Sequence, residues 1–309
     1  MKILVTGGAG FIGSILCEHL LNAGHQVTVL DNLMYGSGSL FHLAHREGFE
    51  FVRGDARDEG ILRTLVEQSE VIIPLAAVVG APACIVDGGR LASNTNIGAI
   101  ASAVGLSRSG QLVIFPNTNS GYGSQEGMCT EDTPSRPVSH YGNTKQWAED
   151  LVLNYPNAVS LRLATVFGCS PRMRLDLLVN DFTYRAFTDG YITLYESHFM
   201  RNYVHIRDVA DCFLHCIDNA DKMVGRAYNV GLDSANMSKA ELAWKIREHI
   251  PSFHIMDDSD GKDPDQRNYI VSNQRLKDAG FEATRTLDQG IEELIKGFKM
   301  MGRGRWSNV

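Results

Sequence analysis

No stretch of this 309-residue chain is long and apolar enough to read as a membrane span, so no membrane partner is expected. The six cysteines, Cys17, Cys84, Cys129, Cys169, Cys212 and Cys216, make no C-x-x-C pair, which argues against a dithiol redox centre or a zinc ribbon. Cys212, His215 and Cys216 fall together on a predicted helix, but the further ligands a metal needs cannot be placed, and no metal is expected. Basic residues are not in excess: 29 Lys and Arg against 36 Asp and Glu give a net charge of −7. They do not cluster apart from Arg303 and Arg305, so no nucleic-acid partner is expected. Repeats and low-complexity tracts are missing, and a strand starts at Lys2 where a secretion signal would stand. Free thiols and a cytoplasmic location follow as expectations.

What remains is an ordinary globular composition, 44% hydrophobic and 21% charged, long enough for a large core plus a smaller lobe. The opening is the most ordered part. Lys2 to Thr6 reads as a buried strand, Gly7-Gly8-Ala9-Gly10-Phe11-Ile12-Gly13 as a turn, and Ile12, Ile15, Leu16 and Leu20 recur at helical spacing. A second strand, Gln26 to Leu30, ends on Asp31. Gly7 allows a tight turn, Gly10 lets backbone approach a pyrophosphate, and Gly13 lets helix and strand pack closely. The phosphates then sit at a helix N-terminus, whose free N–H groups and dipole favour an anion. Asp31 can accept from both ribose hydroxyls and would repel a 2′-phosphate, so the expected cofactor is NAD rather than NADP.

Apolar strands and helices alternate through Ala158–Arg162, which predicts an α/β fold with a doubly wound parallel sheet. A helix of small residues is expected over 96–109, another over 141–154, and a polar loop over 257–265. After Gly168 the rhythm changes. Residues 1–168 are read as the dinucleotide-binding domain and 169–309 as mainly a substrate lobe, with elements of 201–230 returning to the sheet.

Tyr141 and Lys145 form Y-x-x-x-K on the second of those helices, one turn apart on one face. An ammonium beside a phenol favours the phenolate and makes a usable base. Thr118 lies just past the buried strand Gln111–Phe115, so its hydroxyl emerges at the carboxyl edge where open α/β sheets bind ligands.

Taken together, the glycine turn, Asp31, Gly54-Asp55, Leu75-Ala76-Ala77, Thr118, Tyr141/Lys145 and Arg201-Asn202-Tyr203-Val204-His205-Ile206-Arg207-Asp208 resemble the extended short-chain dehydrogenase/reductases. Within these the chain is similar to the nucleotide-sugar epimerase/dehydratase family. The resemblance implies a Rossmann sheet with a smaller C-terminal substrate lobe, NAD as cofactor, a nucleotide-diphosphate sugar as substrate and a homodimer. It implies that Gly7, Gly10, Phe11, Ile12 and Gly13 hold the pyrophosphate. It places Asp31 and Asn32 on the adenosine ribose, Asp55 and Ala56 on adenine, and Leu75, Ala76 and Ala77 along the middle of the cofactor; Asn96, counted with the cofactor residues, matches a structural Asn near it. Thr118, Tyr141 and Lys145 take the catalytic positions, with Tyr141 and Lys145 also on the cofactor and Thr118 on the sugar, and Asn180 and Arg201 take the sugar diphosphate.

Four departures qualify it. Ala99 replaces a usual Gly, and Thr165 a frequent Asn. The later phosphate-binding Arg has two candidate substitutes, Lys262 and Arg267. Asn119 and Ser120 replace the acids with which 4,6-dehydratases eliminate water, which disfavours that reaction. The stretch 163–186 resembles a subgroup that includes oxidases acting at C4 of GDP-linked heptoses. In it Arg172 and Arg174 read either as phosphate or sugar ligands, since a guanidinium grips phosphate with two donors, or as a solvated loop. His140 and His205 read as structural. The expected activity is NAD-dependent oxidation at C4 of a nucleotide sugar, with 4-epimerisation as the alternative.

Overall fold

The computed structural model describes residues 1–258, 261 and 266–301. Seven strands form one sheet: β1 (Lys2–Thr6), β2 (Gln26–Asp31), β3 (Phe49–Arg53), β4 (Val71–Pro74), β5 (Leu112–Thr118), β6 (Ala158–Leu163) and β7 (Arg226–Val230). Their order is β7-β6-β5-β4-β1-β2-β3, and every pairing is parallel. Alternation along β1 feeds two cores. Ile3 and Val5 face the side covered by α1 (Phe11–Asn22) and α6 (Ile206–Asp218). Leu4 faces the side covered by α2 (Glu59–Glu67), a long helix α3 (residues 90–106) and α4 (His140–Leu153).

Strand order reverses between β1 and β4, and the crevice above the carboxyl ends of those strands is where such sheets bind ligands. Pro74 ends the ladder, paired with Thr6, so the chain leaves the sheet there. Helix α3 begins earlier than its small residues suggest and contains a wide turn over Asn94–Ala99. The wide turn holds Asn96, whose side chain clamps the loop after β4.

The remaining elements build the far wall. Helix α5 (Leu178–Thr188), α7 (Lys239–His249) and α8 (Leu287–Met300) pack together with strands Thr165–Phe167 and Met200–His205. Capping boxes at Ser238/Glu241 and Thr286/Gln289 start α7 and α8. Asp257 and Asp258, expected in a polar loop, close a strand, His254–Asp258, that pairs with Tyr191–Tyr195. That pairing is a long-range contact no local pattern announces. A polar strand, Ser124–Cys129, also escapes a reading of the sequence. It pairs with Asn268–Val271 and carries the segment around Arg267 back to β5. Among the described residues no helix is long and apolar enough to cross a membrane.

Candidate active site

The glycine turn, Asp31, Asp55 and the loop after β4 line one open groove of about 160 Å³. Gly7 has φ +73°, and a Cβ there would stand 2.6 Å from the Ala76 backbone nitrogen, so the turn and the β4 loop touch only because both backbones are bare. Gly10 differs: a Cβ would meet Gly7 O at 3.1 Å and no other heavy atom within 4 Å. Its open side belongs to the groove. Helix α1 starts at Gly10 with no side-chain cap among the described residues, so its first N–H groups are available to an anion.

Asp31 is fixed from below. Ala9 N donates to one oxygen at 3.0 Å and Leu33 N to the other at 2.8 Å. Burial nevertheless pushes its carboxyl up from the ordinary range. Asp55 is the opposite case. Arg57 grips it through two donors at 2.9 and 2.6 Å, and Asn32 approaches at 3.4 Å, so its carboxyl is held down to about 2. Phe11, Ile12, Gly13, Asn32, Ala56, Leu75, Ala76 and Ala77 all line the same groove. Asn96 does not line it. Its oxygen accepts from Val78 N at 2.8 Å and its nitrogen donates to Val78 O at 2.9 Å and Thr144 Oγ1 at 3.1 Å. The expected cofactor contact is therefore corrected to a clamp on the β4 loop.

Thr118, Tyr141 and Lys145 do not line that groove. They form a cluster of their own, to which β5 delivers Thr118 and α4 delivers Tyr141, with Ser139 capping the helix at Gly142 N. Burial pushes the Tyr141 phenol up to about 12. The Arg174 and Arg267 guanidiniums and a hydrogen bond with the Thr118 hydroxyl pull it back. Lys145, expected to lower that phenol, donates instead to Pro116 O at 2.5 Å and sits 4.0 Å from the Phe115 ring centroid. Burial brings Lys145 itself down to about 7, opposed by Glu149 one turn further along. The cations that act on Tyr141 thus come from distant parts of the chain.

Glu149 is buried and takes two donors of Arg162 on β6, 2.7 Å at the closest, plus Ser160 Oγ at 2.6 Å. Sequence reasoning missed this pair, although Tyr141, Lys145 and Glu149 follow one another at four-residue steps of one helix. Thr118 donates to Ser120 Oγ at 3.0 Å, and Arg267 donates to the same oxygen. Arg267 is thereby placed at the reaction end. Lys262, the other candidate, lies outside the described residues, as do Arg303 and Arg305.

The remaining expected substrate contacts divide. Arg172 and Arg174 line the groove rather than a solvated loop. Asn180 is fully buried and spends its amide on Gly168 N at 3.1 Å and Arg174 O at 2.8 Å, holding the loop that carries Arg174. Arg201 is 1% exposed, donates to Met200 O and Arg267 O, and stacks 5.8 Å from the Tyr269 ring. Both support the segments that bear Arg174 and Arg267. His140 bonds Gly89 O and Ser93 Oγ, and His205 caps α6 and meets Glu293, so both are structural.

Residues 3–231 match the NAD dependent epimerase/dehydratase family. The chain belongs to that family. It is 30% identical to the UDP-glucose 4-epimerase of Mycolicibacterium smegmatis over 97% of this chain and 99% of the relative. It is 27% identical to the dTDP-glucose 4,6-dehydratase of an Actinoplanes species over 99% and 100%. The solved UDP-glucose 4-epimerase of Thermus thermophilus in complex with NAD superposes with a TM-score of 0.82 at 25% identity, covering 97% and 99% of the two chains. Like the family, this member is an NAD-dependent enzyme, and the bare glycine turn and the anchored Asp31 are what that cofactor requires.

Proposed function

We propose that this family member oxidises C4 of a nucleotide-diphosphate sugar. The observation that supports it most is Arg174, which lines the dinucleotide groove and also acts electrostatically on Tyr141, tying the base to the cofactor site. Bound NAD supplies the hydride acceptor. Thr118 orients the sugar hydroxyl, and Tyr141 Oη takes its proton. Arg174 and Arg267 favour the phenolate that burial resists, and Lys145 holds the carbonyl at Pro116 beneath them. Neither Asn119 nor Ser120 brings a carboxylate to this edge, so elimination of water is disfavoured.

The resemblance of residues 163–186 to GDP-heptose C4 oxidases supports release of the 4-keto product. The 30% identical UDP-glucose 4-epimerase supports a second reading, in which the ketone turns over and is reduced to the C4 epimer. Mass analysis after incubation with GDP, UDP, CDP and TDP sugars separates them. Loss of two hydrogens marks oxidation, unchanged mass with inverted C4 marks epimerisation, and loss of water sinks the argument from Asn119 and Ser120. Tyr141→Phe is expected to lower turnover by about three orders of magnitude or more while NAD still binds. Full turnover in that variant removes the proposed base.

A homodimer and a cytoplasmic location belong to the same reading. Trp147 and Leu151, one turn apart on α4, are 56% and 40% exposed, a face suited to pairing with a second copy. Trp147→Glu is expected to yield monomers by light scattering.

A further inference from the structure

Residues 168–176 leave strand Thr165–Phe167 and cross the start of α1. They are tied at both ends of that crossing. Ser170 Oγ donates to Phe11 O at 2.8 Å and lies 2.9 Å from Ser14 Oγ, both in the first turn of α1. Asn180 holds Gly168 N and Arg174 O. The two arginines on this strap have different surroundings. Arg174 is paired with Asp176 through two donors, and its charge favours the Tyr141 phenolate. Arg172 turns toward the loop after β2, where its guanidinium lies 5.3 Å from the centroid of the Tyr35 ring. One guanidinium nitrogen, Nη1, donates to Met173 O, and the backbone N–H donates to Ser170 Oγ, so head group and backbone are both anchored.

Arg172 and Tyr35 line the same groove as Gly10, Phe11 and Ile12. An uncapped helix N-terminus and a guanidinium therefore border one cavity, which suits a doubly charged anion. The flat ring beside the guanidinium restricts its plane and adds cation–π attraction, so less freedom is lost when it binds. We propose that Arg172, steadied by Tyr35, is a ligand of the cofactor's diphosphate, so that the substrate lobe itself holds the dinucleotide. The proposal rests on the family's cofactor and not on which sugar is turned over.

A diphosphate could also come from the nucleotide sugar, and titration calorimetry on the full chain, freed of nucleotide and without sugar, distinguishes the two. Arg172→Ala is expected to weaken NAD and ADP-ribose by about ten- to a hundredfold. Adenosine, which has the same base and ribose but no phosphate, is expected to bind within about twofold of the parent, and so are GDP and UDP. Arg172→Lys keeps a charge but not the fork and is expected to recover part of the loss. Tyr35→Leu is expected to cost less than Arg172→Ala, and Tyr35→Phe nothing. Unchanged NAD affinity in Arg172→Ala overturns the proposal. So does an equal loss for adenosine, which marks general damage, or a loss confined to GDP and UDP, which moves the arginine to the sugar's diphosphate. If Arg172→Ala fails to fold, the Lys and Leu variants carry the same comparison. None of these readings involves turnover, so they stand or fall apart from the role of Tyr141.

Discussion

The adenosine end of the groove and the cluster around Tyr141 are built in different ways. At the adenosine end the glycine turn and Asp31 lie within 31 consecutive residues; Ala9 N and Leu33 N hold Asp31, and a distant contact of the turn is the bare backbone of the β4 loop at Ala76. In the cluster Thr118, Tyr141, Arg174 and Arg267 come from four separate segments, and each needs a long-range prop: Asn180 for the Arg174 strap, Arg201 for Arg267, Arg162 for the helix of Tyr141. A site made locally depends on bare backbone and close approach. A site made from distant parts depends on buried polar pairs that cannot be half removed.

That contrast can be broken from either side. The largest effect is expected at the distant end. Glu149→Ala leaves the partly buried Arg162 without its carboxylate and is expected to cost about 3 kcal/mol in denaturant titration. Burial alone would push the Glu149 carboxyl up, but Arg162 and Ser160 hold it below its ordinary value. Its contribution is therefore present above the unfolded-state pKa and is lost as pH falls through the lower folded value. The gap between parent and variant should close in acid, and a gap independent of pH would show that packing, not charge, is what Glu149 provides.

Gly7→Ala attacks the local end. A Cβ at φ +73° and 2.6 Å from the Ala76 nitrogen is expected to cost about 2–4 kcal/mol and to abolish NAD binding. Retained binding at parental stability would mean the two loops separate freely.

The smallest effect sharpens the comparison within the adenosine end. Burial raises the Asp31 carboxyl, whereas Arg57 holds Asp55 down to about 2. As pH falls, Asp31 takes up its proton first, loses its charge and can no longer accept from both ribose hydroxyls. NAD affinity is expected to weaken by about tenfold in mild acid, before Asp55 titrates, as read by calorimetry across pH. An affinity flat down to the titration of Asp55 would take the ribose contact away from Asp31.

Much of this was legible before the fold. The opening strand, turn and helix announce themselves by spacing, and the sequence places Thr118 at a strand's carboxyl edge and Tyr141 one turn before Lys145. What misled was function assigned to buried amides. Asn96 and Asn180 look like ligands because polar residues near a site suggest contact, yet each spends its side chain on backbone groups that would otherwise be left unpaired. Lys145 misled in the same way, since helical spacing sets which residues share a face but not which acceptor a lysine finds.

By itself the sequence determined the parallel sheet, the glycine turn and the acid that ends β2, because period, turn chemistry and close packing act over a few residues. Only the tertiary structure decided which cations face Tyr141 and that a strap carrying Arg172 crosses α1. Those placements depend on pairings between segments as distant as Ser124–Cys129 and Asn268–Val271, and an electrostatic field reports where charges lie in space, whatever their separation along the chain.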